Sequence, residues 1–507
     1  MKNILFKLRS FIFENKNWIV NFVLIFALII FLMPPSEQWR SNEETYLGLA
    51  WRMFSPENLS KISALRDPVY NRFLFDYLTG FSINHIGFEW THALGRIIVA
   101  LLYSASLVTL FRSLNLSPID SYTIILTFVY LHEDILGGES LFKGFEPKTL
   151  AYPFVFFSFY TSLKKRFKFS YFLLIIATYF HLLVGVFWSF VTLIGQLYWT
   201  RNIKQTLLDS LKYLIACSPL FLMIVVQQLQ AQETVNSTPQ ATWIYSYFRN
   251  PHHVAPFASA KELASWSRGI LSLFGLTVAS VVLYHNSRNK NEKEFSKLIL
   301  ALNLYLIFSL VISYFDENGV LGKFYLFRPS SVTLLLTLCL YVVYLKNRLS
   351  KNINQLSFVV LVLISVLAIP HLSSYKSIIS SVKSAVPDET PSYVNNLKLE
   401  QIIKSSNNMD IFLIDPELER AYLSFERKYN RPTLIYYKFV PTTASEIVRW
   451  YKLLNMREEL FYKGCPAKIM EEYPIRYLLT KNDRVSVDSC GKELFKNQEV
   501  KLIKLQN

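Results

Sequence analysis

The sequence predicts a polytopic α-helical membrane protein of about eleven spans, with a small α/β domain at its C-terminal end. Three observations carry this. Of 507 residues, 52% are hydrophobic and only 18% charged, where a soluble globular chain carries about 25% charged residues. Long apolar runs recur from Trp18 to Pro370, each near the roughly 20 residues that a bilayer crossing needs. From about residue 372 onward Lys, Glu, Asn and Asp rise and the apolar runs shrink. With 15 Gly, 20 Pro and 4 Cys, a collagen-like chain and a disulfide scaffold are excluded.

In chain order the expected spans are 17–33, 92–112, 118–133, 149–163, 169–184, 185–200, 206–227, 266–284, 298–314, 329–345 and 356–371. A net charge of +16 invites a nucleic-acid reading, but the location of the charge argues against it. The basic clusters are Lys2, Lys7, Arg9 and Lys16; Lys164, Lys165, Arg166 and Lys168; Arg201 with Lys204; Arg288, Lys290, Lys293 and Lys297; and Lys346, Arg348 and Lys351. Alternating spans from a cytoplasmic N-terminus place all of them inside, as the positive-inside rule requires. Membrane lipid, and no nucleic acid, is therefore the expected partner. The loops near 34–91, 134–148, 228–265 and 315–328 then fall outside, with everything after 372. The first span has no small-residue cleavage site after Met33-Pro34-Pro35 and reads as a retained anchor. The pair of segments meeting near Gly185 also fits a hairpin that crosses only in part. No internal repeat and no inverted pair of broken helices is visible, which weighs against a secondary transporter.

Two domains are expected: a membrane domain over 1–371, with 34–91 as a large first outer loop, and an outer domain over 372–507. In the latter, β-like runs fall at Ile411–Ile414, Thr433–Tyr437, Arg476–Leu479 and Val500–Leu505. Helical patterns lie around Tyr393–Lys404, Glu417–Glu426 and Ala444–Leu454. Such alternation predicts a mainly parallel sheet. Cys217 and Cys339 lie in spans and read as small apolar fillers. Cys465 and Cys490 lie in the outer domain, where an oxidising compartment permits a disulfide between them.

Charge is concentrated in the outer loops beyond what topology requires. The first holds Ser41-Asn42-Glu43-Glu44, then apolar residues at near-helical spacing. Ser41-x-x-Glu44 fits a capping box, and either Glu43 or Glu44 is a candidate general base; Asp67 and Asp76 rank below them. The second loop packs Glu133, Asp134, Glu139, Lys143, Glu146 and Lys148 around Gly137-Gly138. It must be wet or buried against protein; it reads as folding over a cavity, with Glu139 and Lys143 able to pair. In the third loop, Phe248-Arg249-Asn250-Pro251-His252-His253 offers an arginine fork and two imidazoles to phosphate. Adjacent histidines lack the four-residue spacing of metal motifs, so a divalent metal is the minority reading and the cofactor stays unknown. Arg328 closes the fourth loop, where snorkelling competes with function. His181 sits in the fifth span, as a site residue or as a histidine bonded to a neighbouring helix.

Several short pieces resemble the GT-C class of integral-membrane glycosyltransferases, and more closely an uncharacterised bacterial GT-C-like family. They are Gly137-Gly138-Glu139 with Lys148 and Ala151-Tyr152, Ala177-x-x-x-His181 with Gly185, Phe248–His253, Phe327-Arg328-Pro329, Phe425–Arg431 and the Trp450 helix. The resemblance covers most of the chain. It implies inverting transfer of a sugar from a polyprenyl-phosphate donor to a glycan acceptor on the outer face of the bacterial inner membrane, in surface polysaccharide synthesis. It implies an acidic base in the first outer loop, where Glu43 and Glu44 stand in place of the usual Asp, and phosphate-side roles for Arg249, His252, His253 and Arg328. Glu139, Lys143 and Lys148 join them as substrate-binding candidates. Two other classes stay open: a transporter or flippase of a lipid-linked glycan, and a non-catalytic protein whose outer domain binds a partner.

Overall fold

The computed structural model describes residues 16–35, 39–54, 70–230, 239–287, 290–348, 396–465 and 474–505. Helices occupy ten of the expected spans: α1 Lys16–Leu32, α3 Phe73–Ser113, α4 Pro118–Tyr130, α5 Pro147–Leu163, α6 Phe167–Phe180, α7 Leu182–Thr200, α8 Ile203–Gln230, α9 Ala260–Asn286, α10 Lys290–Phe315 and α11 Ser330–Arg348. The eleventh, 356–371, lies outside the described residues, as do Lys2, Lys7, Arg9, Asp67, Arg288 and Lys351. Among the described residues six helices are long and apolar enough to cross a membrane. Their outward faces carry Ile215, Leu271, Val278 and Phe308, each at least 60% exposed. Water would penalise such a surface; hydrocarbon does not.

The chain divides into two compact units, one of Met1–Pro35, Ala93–Pro219 and Ser246–Val386, the other of Ser36–His92, Leu220–Tyr245 and Pro387–Asn507. In the first, α6 and α7 meet at His181, whose extended backbone (φ −156°, ψ 104°) breaks the helix. The hairpin break thus falls at His181 and not at Gly185. Gly185 instead lets the two helices touch, since a Cβ there would lie 2.4 Å from the Thr178 backbone nitrogen.

The second unit contains α2 (Ser41–Arg52), the start of α3 and a four-stranded sheet. Its strands are β1 Ile411–Ile414, β2 Ile475–Lys481, β3 Gly491–Lys496 and β4 Val500–Leu505, in the order β1-β2-β4-β3. Only β1 and β2 are parallel; β4 runs antiparallel to both β2 and β3. The expectation of a mainly parallel sheet is corrected accordingly. Thr433–Tyr437 is buried beside β1 but forms only an isolated bridge at Thr433. Its later N–H groups are diverted, because Tyr437 and Lys438 donate to the Glu419 carboxylate at 2.9 and 3.1 Å. Turns fill most of Glu417–Glu426, and the helix expected there is the shorter α13, Phe425–Tyr429. The other two helices are α12, Leu397–Ser405, and α14, Ala444–Lys463. Leu399, Ile403, Phe412, Ile414, Phe425 and Leu502 share one apolar core. Cys465 and Cys490 are disulfide-bonded, with Cα atoms 5.6 Å apart; Cys217 and Cys339 are free and buried.

Candidate functional site

In the first unit the loop 131–146 is folded by its own polar groups. His132 and Glu133 take left-handed backbone, φ 63° and 67°, so the chain turns sharply after α4. Glu133 Oε2 then accepts the N–H groups of Leu141 and Phe142 at 2.6 and 2.7 Å. Ser330 Oγ accepts those of Ile135 and Leu136 at 2.8 and 2.7 Å, and Ser331 Oγ donates to the Glu139 carbonyl at 2.8 Å. Gly137 and Gly138, at φ 84° and 63°, occupy backbone that glycine adopts without a Cβ penalty. The loop is thereby sealed onto the start of α11.

This seal buries Glu139, which is 3% exposed. Its Oε2 lies 2.8 Å from Lys148 Nζ and its Oε1 3.3 Å from Arg328 Nε. Lys148 also stands 3.8 Å from Glu146 Oε2. Arg328 Nη1 donates to His181 Nε2 at 2.6 Å, and the guanidinium lies 4.5 Å over the Tyr325 ring. Arginine has no acceptor, so His181 Nε2 must carry the lone pair and Nδ1 the proton. Burial pushes the Glu139 carboxyl up, but the charges of Lys148 and Arg328 outweigh it and hold the group well below the usual carboxylate range. Burial pulls Lys148 down, while Glu139 and Glu146 oppose it more strongly and leave the amine above its usual value. His253 is driven down to about 3, chiefly by burial and against the pull of Glu139. The imidazole is therefore neutral near pH 7, and its Nδ1 donates to the Gly137 carbonyl.

Arg249 ends a π-helical turn, Ile244–Arg249, and is 7% exposed. His252 is exposed beside it, its ring 4.1 Å from that of His253. Lys143 is exposed and does not form the expected pair with Glu139. The intervening turn at Gly144 (φ 113°) separates Lys143 from Lys148, and Lys148 takes the carboxylate.

The second unit holds a separate cluster. Glu43 is fully buried; its Oε2 accepts the Arg40 N–H at 2.9 Å and its Oε1 lies 3.0 Å from His92 Nε2. The cap of α2 is thus made by Glu43 on Arg40, one residue earlier than Ser41-x-x-Glu44 suggests. Glu44 is free of that duty because its carboxylate is gripped by Arg427, Nε to Oε2 at 2.9 Å and Nη2 to Oε1 at 2.7 Å. Arg427 Nη1 also donates to Glu89 at 2.5 Å, and its guanidinium sits 3.9 Å over Trp39. Trp39 in turn stacks on His92 at 4.3 Å. Asp76 is closed by Arg72 at 2.9 Å. Sequence reasoning did not single out Trp39, Glu89 or His92, which lie inside apolar or loop text with no motif around them. Arg427 had a signal only in the Phe425–Arg431 run.

Among the described residues no group of three or more His, Cys, Asp or Glu side chains is placed to hold a metal ion.

No family model matches the chain, and no curated protein matches it. It is similar in structure to ArnT from Cupriavidus metallidurans in the apo state, with 11% identity, 97% of this chain and 98% of that one covered, and a TM-score of 0.49. It is also similar to the Archaeoglobus fulgidus oligosaccharyltransferase in the apo form, with 10% identity, 92% and 70% covered, and a TM-score of 0.47.

Proposed function

We propose that this chain is a membrane glycosyltransferase that moves a sugar from a polyprenyl-phosphate donor to a glycan acceptor at the outer face of the bacterial inner membrane, in surface polysaccharide synthesis. The N-terminus is cytoplasmic and the C-terminal domain extracytoplasmic. The observation that supports it is the convergence of two nearly buried cations, Lys148 and Arg328, on the one carboxylate of Glu139. Fixed positive charge in a desolvated setting is what a departing lipid phosphate needs. The arginine adds paired, planar donors.

In this reading Lys148 and Arg328 take the donor phosphate, Glu139 holds the two cations in register, and His181 fixes the guanidinium. Arg249, His252 and His253 are further phosphate-side donors, and Lys143 lies outermost. The acceptor hydroxyl oxygen attacks the anomeric carbon, and the bond from that carbon to the phosphate oxygen breaks with its electron pair. Polyprenyl phosphate leaves, and the hydroxyl proton passes to a carboxylate. Glu43 and Glu44 are the two proposed candidates for that base.

The test is transfer in liposomes from a labelled polyprenyl-phosphate sugar. Wild-type protein should form product, and Arg328→Ala should lower turnover by about 10²-fold or more with normal expression. Transport of a lipid-linked glycan across the bilayer, without transfer from any such donor, would overturn the assignment in favour of a carrier.

A further inference from the structure

We infer that the far end of the first unit binds an anionic phospholipid, one acyl chain in an apolar cleft and the phosphate against the basic run 164–168. The site is separate from the Glu139 cluster: Lys148 opens α5 and Leu163 ends it, about 22 Å apart at 1.5 Å per residue. It stands whether or not the chain transfers sugar.

The cleft holds about 510 Å³, counting the space open at its mouth, and is walled by Leu114, Phe159, Leu163, Trp199, Phe295 and Leu336 among others. Ser162 and Thr192 also reach it, and the Ser162 hydroxyl is already spent on Ser170 at 3.0 Å. A wall with so little polar demand suits hydrocarbon, not a headgroup. Beside helices long enough to cross a membrane, the available hydrocarbon is a lipid tail.

The mouth selects the headgroup. Leu163 lines the cleft and is followed directly by Lys164, Lys165, Arg166 and Lys168, all exposed. On the other wall Lys297 lies between the lining residues Phe295 and Leu298, its Nζ 5.2 Å over the Tyr198 ring next to Trp199. Glu294 pairs with Lys297 at 3.1 Å; the four cations of the 164–168 run pair with no described acid. The 14-residue helix Phe167–Phe180 begins within this run, so its first N–H groups add partial positive charge at the same place. Basic pockets between membrane helices recognise anionic headgroups in this manner. A zwitterionic lipid would leave the cations uncompensated.

The full-length protein, purified and delipidated, is returned to nanodiscs of phosphatidylcholine alone or mixed with phosphatidylglycerol. Phosphatidylglycerol should raise the thermal midpoint by several degrees over phosphatidylcholine and stay bound at one molecule per chain in native mass spectrometry. Two variants remove the two halves of the site. Lys164→Gln with Lys165→Gln and Arg166→Gln strips the mouth. Gly195→Leu fills the cleft, and it should fold because a Cβ there meets only the Trp199 ring, at 3.6 Å. Each should lower phosphatidylglycerol retention at least tenfold. Equal retention of both lipids by the wild type, or unchanged retention in either variant, overturns the inference. So does retention of polyprenyl phosphate that Gly195→Leu abolishes, when phosphatidylglycerol never binds.

Discussion

Replacing Glu139 by glutamine removes one negative charge from between two cations while keeping nearly the same shape. Glu139, Lys148 and Arg328 have side chains only 4%, 15% and 11% exposed, so water does little to screen what is left behind. Breaking a buried ion pair by removing one partner costs about 3–5 kcal/mol, because the remaining charge is uncompensated. Two cations are stranded here, although Lys148 retains Glu146 at 3.8 Å. The glutamine oxygen still accepts one hydrogen bond, worth about 1 kcal/mol net. We therefore expect Glu139→Gln to destabilise the chain by about 2–4 kcal/mol. Lys148→Met should cost less, since Arg328 and Glu139 remain matched. The double variant should be milder than the sum of the singles, with a coupling of about 1–3 kcal/mol. The assay is denaturant unfolding of the full chain in one detergent, followed by tryptophan fluorescence and fitted with a common slope. A Glu139→Gln change within about 0.5 kcal/mol of wild type would refute the reasoning. Additivity of the two singles within about 0.5 kcal/mol would refute it as well.

Acid should weaken the first unit through two groups acting in one direction. Glu139 is held below its usual 4.5 and His253 below its usual 6.5, so both contribute stability at neutral pH. The His253 part is lost as pH falls from 6.5 toward about 3, and the Glu139 part as pH falls below 4.5; a thermal midpoint flat between pH 7 and 4 contradicts this. In the second unit, Arg427→Ala removes a bidentate grip on Glu44 and a cation–π contact with Trp39. It should cost about 2–4 kcal/mol and much less on a Glu44→Gln background, measured by the same titration. Arg249→Lys should weaken donor binding several-fold with normal expression, because an ammonium lacks the planar fork; an unchanged Kd for a labelled donor would remove Arg249 from the site. Cys465→Ser should lose about 3 kcal/mol of stability. In intact cells, both outer thiols should react with impermeant reagents only after reduction.

Much of the secondary structure was legible because it is decided locally. A run such as Lys290–Phe315 becomes a helix from its length and apolar content, whatever surrounds it. Ile411–Ile414 and Val500–Leu505 read as strands from β-branched and apolar residues in short bounded runs. Gly491–Lys496 did not, because an edge strand carrying Lys492, Glu493 and Lys496 looks like a loop until β4 is beside it. The residue types of the candidate site were legible for the same local reason: Glu139, Lys148, Arg249 and Arg328 stand where carboxylates and cations are conspicuous between apolar runs.

Which charge meets which was settled only in the folded chain. Glu139 bypasses Lys143, four residues away, for Lys148 and Arg328, because positive-φ turns at Gly137, Gly138 and Gly144 set the path of the loop. Glu44 is matched by an arginine 383 residues further on. Composition and spacing determined the apolar runs, their helices and the kinds of charged groups between them. The pairing of those groups depends on distances of a few ångströms between segments remote in sequence, and only tertiary packing sets such distances.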